Sequence, residues 1–391
     1  MGLPLKGLRV IDLTKDFAGP FCTMILSDLG AEVIKVEKPG SGDETRAWGP
    51  PFVKGLSYYF LSLNRSKKSI TLNLKSSAAQ KIIRQLVQDS DILVESFRPG
   101  TMSQFKLDHS SLRKINKALV YCSISGFGQT GPYRDRPGYD IVAFAMSGIM
   151  SSTGEEDRPP IRVSVPVADI AAGQYASTAI LACLSRRLVS GRGEYIDISL
   201  YDSIVSWLTY LASYYFATGK EPQRLGSAHP SIVPYQAFKA RDGNLIVAVG
   251  NDLQWQAFCR TLGLEKLLKD NRLRTNPGRV RNRKTLIPIV SKLLKTRNVA
   301  YWNKLLAQKR VPAAPVYKIK DVVKDPQVKQ RKLFETSKSE IPWLASPIKF
   351  LKKEKHYSSP APHLGQHTKD VLLELGYSEK SVRKLAIDGT I

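Results

Sequence analysis

LRVIDLTKDFAGPFCTMILSDLGAEVIKVE, residues 8–37, is the stretch that decides the fold class of this chain. Residues 8–13 form a compact apolar run that predicts a buried strand, and residues 31–37 predict a second strand. Between them, Pro20 suits the first turn of a helix and Gly30 suits a helix C-terminal cap. The order β-α-β predicts an α/β fold with a parallel sheet covered by helices.

The same alternation continues to about residue 215 and predicts a large Rossmann-like domain over residues 1–215. We expect a helix at 78–88, strands at 91–95 and 119–124, a long helix at 170–188, a strand at 195–198 and one aromatic-rich helix at 202–217.

The sequence changes character after residues 218–222, TGKEP. Two apolar segments flank Arg241-Asp242-Gly243, which is a hairpin signal, and three helical segments follow them. We therefore predict a small α+β domain over 225–315. Residues 316–391 are predicted to return to the large domain and to end in a last helix at 368–375.

Composition limits the classes of partner. The chain has 391 residues, 42% of them hydrophobic, and a formal charge of +25, which favours either a polyphosphorylated ligand or simply a solvated basic surface. It lacks a basic arm, a zinc finger and an aromatic RNP-type strand, so no nucleic-acid partner is predicted. Its apolar runs fall short of the roughly 20 residues of a membrane span, so no membrane partner is predicted.

Several common catalytic motifs are absent. The turn after the first strand, TKDFAGP, is not a dinucleotide fingerprint, and there is no P-loop, HExxH or GxSxG motif. The five histidines do not form a metal set. We therefore predict neither a resident cofactor nor a metal site.

Asp169 lies where an extended segment enters the long helix, in VPVADIAAG at 165–173. One interpretation is an N-cap, whose carboxylate accepts hydrogen bonds from the first helical turn. The other is a nucleophile, because a helix N-terminus favours the ionised carboxylate. Position alone leaves both open. The glycine-rich stretch 125–140 is likewise either a surface loop or a segment that approaches a phosphorylated ligand.

A set of motifs carries a family resemblance: LRVIDL at 8–13, AGP at 18–20, DLGAEVIKVE at 28–37, ESFRPG at 95–100, GFGQTGP at 126–132 and GYD at 138–140. Together they resemble the class III (CaiB/BaiF) CoA-transferase family over nearly the whole chain. The resemblance implies a homodimer of interlocked rings, acyl-CoA and carboxylic acid substrates, and Asp169 as the catalytic nucleophile. It also implies CoA transfer from succinyl-CoA to a dicarboxylic acid such as glutarate, through an aspartyl anhydride and an aspartyl-CoA thioester.

The resemblance also assigns contacts with CoA. Three of them depart from the formyl-CoA transferase pattern: Phe17 replaces a glutamine, Ser96 an asparagine and Gln104 an arginine. Oxalate/formate activity is therefore not expected. The full predicted set is Phe17, Ala18, Lys38, Leu72, Asn73, Lys75, Ser96, Phe97, Arg98, Gln104, Tyr139 and Asp140.

Other roles stay open. Backbone N–H groups near Asp169 or in loop 126–131 are candidates for stabilising an oxyanion. The distal carboxylate of a dicarboxylic acid needs a cation, and the candidates are Arg46, Arg134, Arg136 and Arg158. The expected location is the mitochondrial matrix, with a presequence removed, although the opening residues are equally compatible with a cytoplasmic protein.

Two rival functions remain. An acyl-CoA racemase of this fold uses Gly-His-Asp, whereas this chain has Gly138-Tyr139-Asp140. Tyrosine, with an ordinary pKa of about 10, is a poor general base at neutral pH. The second rival is a non-catalytic binder of CoA esters or nucleic acid, which only the positive charge supports.

Overall fold

The computed structural model describes residues 2–336, 342–350 and 359–391. Its strands, in chain order, are β1 Arg9–Leu13, β2 Glu32–Glu37, β3 Phe52–Val53, β4 Leu56–Ser57, β5 Lys67–Thr71, β6 Ile92–Glu95, β7 Val120–Ser125, β8 Tyr195–Ser199, β9 Tyr235–Lys239, β10 Asn244–Ala248, β11 Ala313–Pro315, β12 Phe334–Glu335 and β13 Trp343–Leu344. Six of them form one parallel sheet in the order β5-β2-β1-β6-β7-β8. The predicted α/β class is confirmed.

Helices alternate with these strands. They are α1 Ala18–Asp28, α2 Tyr58–Leu63, α3 Ser77–Gln88, α4 Thr101–Gln104, α5 His109–Leu112, α6 Asp140–Met146, α7 Val167–Ser190, α8 Leu200–Val205, α9 Tyr210–Thr218, α10 Asp252–Leu262, α11 Asn276–Arg281, α12 Arg283–Leu294, α13 Val299–Gln308, α14 Ile319–Lys324, α15 Pro326–Gln330, α16 Thr368–Glu374 and α17 Glu379–Ile387. As predicted, Pro20 lies in the first turn of α1, and Gly30, with φ +107°, follows its end.

Two element predictions were wrong, and one strand of the parallel sheet was missed. The helix expected at 202–217 is two helices, α8 and α9, separated at Thr209, whose φ is +41°. The helix expected to be last is followed by α17. Strand β5 was not predicted, because its sequence KKSIT begins with lysines. Lys67 is nevertheless buried, since its Nζ donates to Asp12 Oδ2 at 3.0 Å.

The sheet carries a hydrophobic core on each face. One core contains residues of α1 and α7, and the other contains residues of α3 and α16. By length and apolarity alone, α7 could span a membrane. In this fold Ala172, Ala176 and Ile180 of α7 are buried in the same core as Cys22 and Leu26 of α1. The buried face of α7 therefore covers the sheet.

The chain divides into two compact units. The first comprises Met1–Met150, Arg162–Phe216 and Gln330–Ile391, and the second comprises Ser151–Ile161 and Ala217–Lys329. The sequence assigned 151–161 to the large domain and began the C-terminal return at 316, so both boundaries differ. The Arg224 guanidinium donates to the Ser151 carbonyl, a contact between distant positions that no local pattern reveals.

The second unit is an α+β structure. Strands β9 and β10 form the predicted antiparallel hairpin, and β11 extends it to a three-stranded sheet. Its core combines Leu245 and Val247 of β10 with Trp255 of α10, Val290 of α12 and Trp302 of α13. The hairpin prediction is confirmed, because β9 and β10 pair antiparallel across residues 240–243.

Candidate active site

The candidate site is built at the carboxyl edge of the parallel sheet, where ligands bind in open α/β folds. The loop between β7 and α6 is held closed at its base by two glycines. A Cβ atom on Gly126 would lie 2.7 Å from the Cα of Gly138, so only glycine permits this approach. The close contact places Tyr139 and Asp140 at the start of α6.

Asp140 caps α7. The N–H of Ala168 donates to Asp140 Oδ1 at 2.8 Å, and the N–H of Asp169 donates to the same oxygen at 3.4 Å. The residue at the N-cap position is Pro166, which supplies no side-chain cap, and Asp169 is the third residue of the helix. The hypothesis that Asp169 is the helix cap is therefore wrong. The Asp140 carboxylate caps the helix instead, so the Asp169 carboxylate is not used for capping.

The Asp169 carboxyl has an unusual electrostatic setting. Burial, and to a smaller extent the negative charges of Asp140 and Asp16, together raise its pKa to about 8. Burial also raises the pKa of Asp140, against the hydrogen bonds that it accepts from Ala168 and Asp169. A carboxylate with a raised pKa near a helix N-terminus is typical of a reactive group rather than a structural one.

An aromatic cluster centred on Tyr59 lies near this carboxyl. The ring centroids of Phe17 and Tyr59 are 6.0 Å apart, and those of Trp48 and Tyr59 are 4.9 Å apart. The pKa of Tyr59 is raised by burial and then by the charge of Asp169, which places the phenol close to that carboxylate. Trp48, Tyr59 and Asp16 were absent from the predicted set, because only folding brings these positions to Asp169.

Two cavities receive most of the predicted CoA contacts. A cavity of about 760 Å³ is lined by six of them: Lys38, Leu72, Asn73, Lys75, Ser96 and Phe97. A second cavity, of about 340 Å³, is lined by Ser96, Phe97, Arg98 and Tyr139. The two share Ser96 and Phe97, so they adjoin at the turn after β6.

The remaining predicted residues lie elsewhere. Phe17 and Asp140 belong to the surroundings of Asp169, and Ala18 is buried at the start of α1. Gln104 ends α4 and lines neither of the two cavities. Its predicted contact with CoA is not supported by this placement.

The structure separates the four arginine candidates. Arg46 is engaged, because its guanidinium holds Glu37 with two bonds of 2.7 Å and donates to the Pro362 carbonyl at 3.2 Å. Arg158 is paired with Glu155 at 2.9 Å in the second unit. Arg134 and Arg136 line the 340 Å³ cavity.

Several oxyanion candidates are also engaged. In loop 126–131, the N–H of Gly128 donates to Ser125 Oγ at 3.0 Å, and the N–H of Gln129 donates to Asp197 Oδ2 at 2.9 Å. The N–H groups of Ala168 and Asp169 are held by Asp140. These four N–H groups already have acceptors, so they are the least suited of the candidate N–H groups to bind an oxyanion.

A buried charge network supports the turn after β1. Lys35 Nζ donates to the Thr14 carbonyl at 2.8 Å and forms an ion pair with Asp43 at 2.8 Å. The pKa of Lys35 is raised, because the attraction of Asp43 and Asp12 outweighs the effect of burial. The charged ammonium thus ties the turn at Thr14 to the loop that leads to Trp48. Within 2–336, 342–350 and 359–391, no group of three or more His, Cys, Asp or Glu could hold a metal ion.

These features define a CoA-transferase: the model of CoA-transferase family III matches residues 5–368, and the chain belongs to that family. It is an enzyme that transfers CoA between carboxylic acids, which contradicts the non-catalytic alternative.

The chain is 44% identical to the succinyl-CoA:glutarate CoA-transferase of Mus musculus, over 99% of this chain and 90% of the relative. It is 42% identical to the succinate–glutarate CoA-transferase of Agrobacterium fabrum, over 97% of each. The crystal structure of a CaiB/BaiF family protein from Brucella suis superimposes with a TM-score of 0.87 at 41% identity, covering 96% of this chain and 100% of that one.

Proposed function

We propose that this enzyme transfers CoA from succinyl-CoA to a dicarboxylic acid such as glutarate, with Asp169 as the covalent nucleophile. The observation that carries the proposal is that two different carboxylates serve the start of α7. Asp140 caps the helix, and the Asp169 carboxylate, whose pKa is raised, is free to react. The similarity to relatives that are named for succinate and glutarate supports this choice of acids.

The first half of the reaction moves CoA onto the enzyme. An oxygen of the Asp169 carboxylate attacks the thioester carbonyl, the C–S bond breaks, and the electron pair leaves with the CoA thiolate. The product is a mixed anhydride between Asp169 and the donor acid. The thiolate then attacks the Asp169 carbonyl of the anhydride, which releases the donor acid and leaves an aspartyl-CoA thioester.

The second half mirrors the first. The acceptor carboxylate attacks the aspartyl-CoA thioester and forms a second anhydride, and the thiolate attacks the acceptor's carbonyl to release its CoA ester and free Asp169. No water is consumed, so the activated bond must be kept from hydrolysis. We propose that the half-buried rings of Phe17 and Tyr59, whose centroids lie 6.0 Å apart, reduce the access of water to this bond.

The acceptor's distal carboxylate requires a cation, and we propose Arg134 or Arg136 for this contact. Both line the 340 Å³ cavity beside Tyr139, whereas Arg46 is engaged by Glu37. A guanidinium can bind a carboxylate through two parallel hydrogen bonds.

We also propose a homodimer in the mitochondrial matrix. Support for the dimer comes from α9, which has no buried residue and exposes 82% of Phe216, and from the end of α7, where Leu188 and Val189 are exposed. Contiguous exposed apolar residues of this kind are typical of an interface. The location follows from the resemblance alone and stays a prediction.

The experiment that tests the function compares the parent enzyme with Asp169→Ala. Transfer of CoA from succinyl-CoA to glutarate is measured, and hydroxylamine trapping followed by mass spectrometry locates the acyl adduct. Turnover and an Asp169 adduct in the parent alone are the expected result. Exchange of the α-proton of a branched acyl-CoA without transfer would instead indicate the racemase.

A further inference from the structure

We propose that Glu95 is a positioning residue, which holds the turn formed by residues 96–100 in the shape that binds a CoA ester. This inference rests on the proposed function, because it concerns the same substrate site. Glu95 is the last residue of β6, and only 4% of it is exposed. None of the chemical steps above uses it.

Glu95 holds this turn through a hydrogen bond to its backbone. Its Oε2 accepts the N–H of Phe97 at 2.8 Å, so the carboxylate caps the turn that follows its own strand. From the side, Ser96 Oγ accepts the N–H of Lys15 at 3.0 Å and joins this turn to the turn after β1. Phe97 lines both cavities, so a displacement of its backbone would alter both at once.

A small polar cavity of about 70 Å³ lies on the inner side of this turn. It is lined by Glu95, Ser123, Gln129, Tyr195 and other side chains. Ser123 hydrogen-bonds Glu95 and accepts a bond of 3.2 Å from the Tyr195 hydroxyl. The Nε2 of Gln129 is buried and has no hydrogen-bond partner in the described residues. The volume is sufficient for ordered water, so the carboxylate is embedded in a polar pocket.

Burial disfavours the ionised form of the Glu95 carboxyl. Burial raises the pKa of Glu95, the hydrogen bonds from Ser123 and the Phe97 N–H oppose it, the charge of Asp197 adds to it, and the net value is about 7. The charged form is the stronger acceptor, so it holds the Phe97 N–H more firmly than the acid does.

The neighbouring charged and titratable groups come from several elements. Tyr121 lies on β7, Tyr195 and Asp197 lie on β8, and the turn and the segments after it supply Arg98, Asp108 and His109. As pH falls through about 7, Glu95 takes up a proton and its bond to the Phe97 N–H weakens. We therefore expect CoA binding to weaken over this range beyond what CoA's own phosphate titration causes.

The test uses Glu95→Ala and Glu95→Gln, with CoA itself as the binding probe and acyl-CoA turnover as the second readout. Loss of one buried hydrogen bond predicts a roughly 10-fold rise in the Kd for CoA and in the KM for succinyl-CoA in Glu95→Ala. The kcat should stay within about 3-fold of the parent, because the bond is made in ground and transition states alike. Glu95→Gln retains an acceptor and should bind CoA nearly as the parent does at pH 8.

The pH series separates positioning from simple stability. CoA binding is measured from pH 6 to pH 8 in the parent and in Glu95→Gln, which share the titration of the ligand. The parent should lose more affinity on acidification than Glu95→Gln. If Glu95→Ala does not fold, the comparison between the parent and Glu95→Gln is the test of the proposal. Identical pH profiles of CoA binding in these two proteins would overturn it.

Asp91, which immediately precedes the amino end of β6, provides a matched control. Its carboxylate accepts the Arg9 N–H at 2.8 Å, far from the turn. Asp91→Ala should lower the melting temperature and leave the KM for succinyl-CoA unchanged. An equal rise in KM in Asp91→Ala and Glu95→Ala, or a parental KM in Glu95→Ala, refutes positioning by Glu95. A parent that yields no hydroxylamine adduct refutes the proposed function instead.

Discussion

The carboxylates at the amino edge of the parallel sheet and those that follow β6 and β7 at its carboxyl edge have opposite surroundings. At the amino edge, Arg9 holds Glu32 at 2.7 Å and Arg187 holds Asp91 at 2.8 Å. At the carboxyl edge, beyond the ends of β6 and β7, Glu95 and Asp140 are held by backbone N–H groups, and the pKa of each is raised. The paired carboxylates stabilise the fold, and Glu37 at the end of β2 belongs with them because Arg46 binds it. The acidic groups that follow β6 and β7 are ones that burial disfavours.

This difference has a thermodynamic meaning. A carboxylate paired with arginine gains stability when it ionises, whereas a buried carboxylate without a cation loses stability when it ionises. Groups of the second kind are concentrated where a protein needs reactivity. The predictions below break the comparison at one edge or the other, in order of decreasing effect.

The largest effect is expected from Asp169→Asn. Loss of the nucleophile should lower kcat by about 10⁴-fold or more, because the covalent intermediates no longer form. Steady-state transfer from succinyl-CoA to glutarate measures this. Asp202→Ala is the matched control, since Asp202 is also in the first turn of a helix, and it should retain parental activity. Equal losses in the two variants would contradict a special role for Asp169.

A smaller effect is expected at the cap. Asp140→Ala leaves the N–H groups of Ala168 and Asp169 without their acceptor and should lower kcat/KM by about 10²-fold through misplacement of Asp169. It should also reduce the free energy of unfolding by about 1 kcal/mol, the usual value of a helix cap. Asp140→Asn keeps an acceptor oxygen and should recover most of the stability. Full activity in Asp140→Ala would show that the cap is not needed to position Asp169.

The pH dependence provides the third prediction. Asp169 must be ionised to attack, so kcat/KM should rise with pH through about 8 in the free enzyme. Burial is the main cause of the raised pKa and Asp140 the second, so Asp140→Asn should move the midpoint to lower pH without restoring an ordinary value. A midpoint that does not move would exclude coupling between the two carboxyls.

The same pKa predicts an effect on stability. The pKa of Asp169 is about 8 in the folded state and 3.8 in the unfolded state, so the folded state holds the proton more tightly. The stability that this provides is complete below pH 3.8 and is lost as pH rises through about 8. Asp169→Asn should therefore melt a few degrees above the parent at pH 8.5, about the shift that ~1 kcal/mol produces. Thermal unfolding at pH 5 and pH 8.5 tests this, and a benefit equal at both pH values would contradict it.

The smallest effect on catalysis is expected at the amino edge. Arg187→Met removes the bond to Asp91 and the bond of 3.1 Å to the Ala118 carbonyl, both partly buried. We expect a loss of about 1–2 kcal/mol in the free energy of unfolding, measured by urea denaturation. The kcat/KM should stay at the parental value, and a marked fall would show that the two edges are not independent.

The sequence by itself determined the α/β class, the hairpin and the position of Asp169. Apolar runs such as residues 8–13, turn residues such as Gly30 and the sequence Asp242-Gly243 express local conformational preferences, which need no distant partner. The family resemblance added the nucleophilic role of Asp169 and eight of the residues that line the two cavities.

Only the tertiary structure decided which polar groups meet. Asp140 caps a helix that begins 27 positions later in the chain, and Arg46 donates to a carbonyl 316 positions away. Trp48 and Tyr59 lie with their ring centroids 4.9 Å apart, and the buried Lys35 ties Asp43 to the turn at Thr14. Hydrogen bonds and ion pairs of this kind depend on strand order and side-chain packing across the whole sheet, and these are set by the fold rather than by any local pattern.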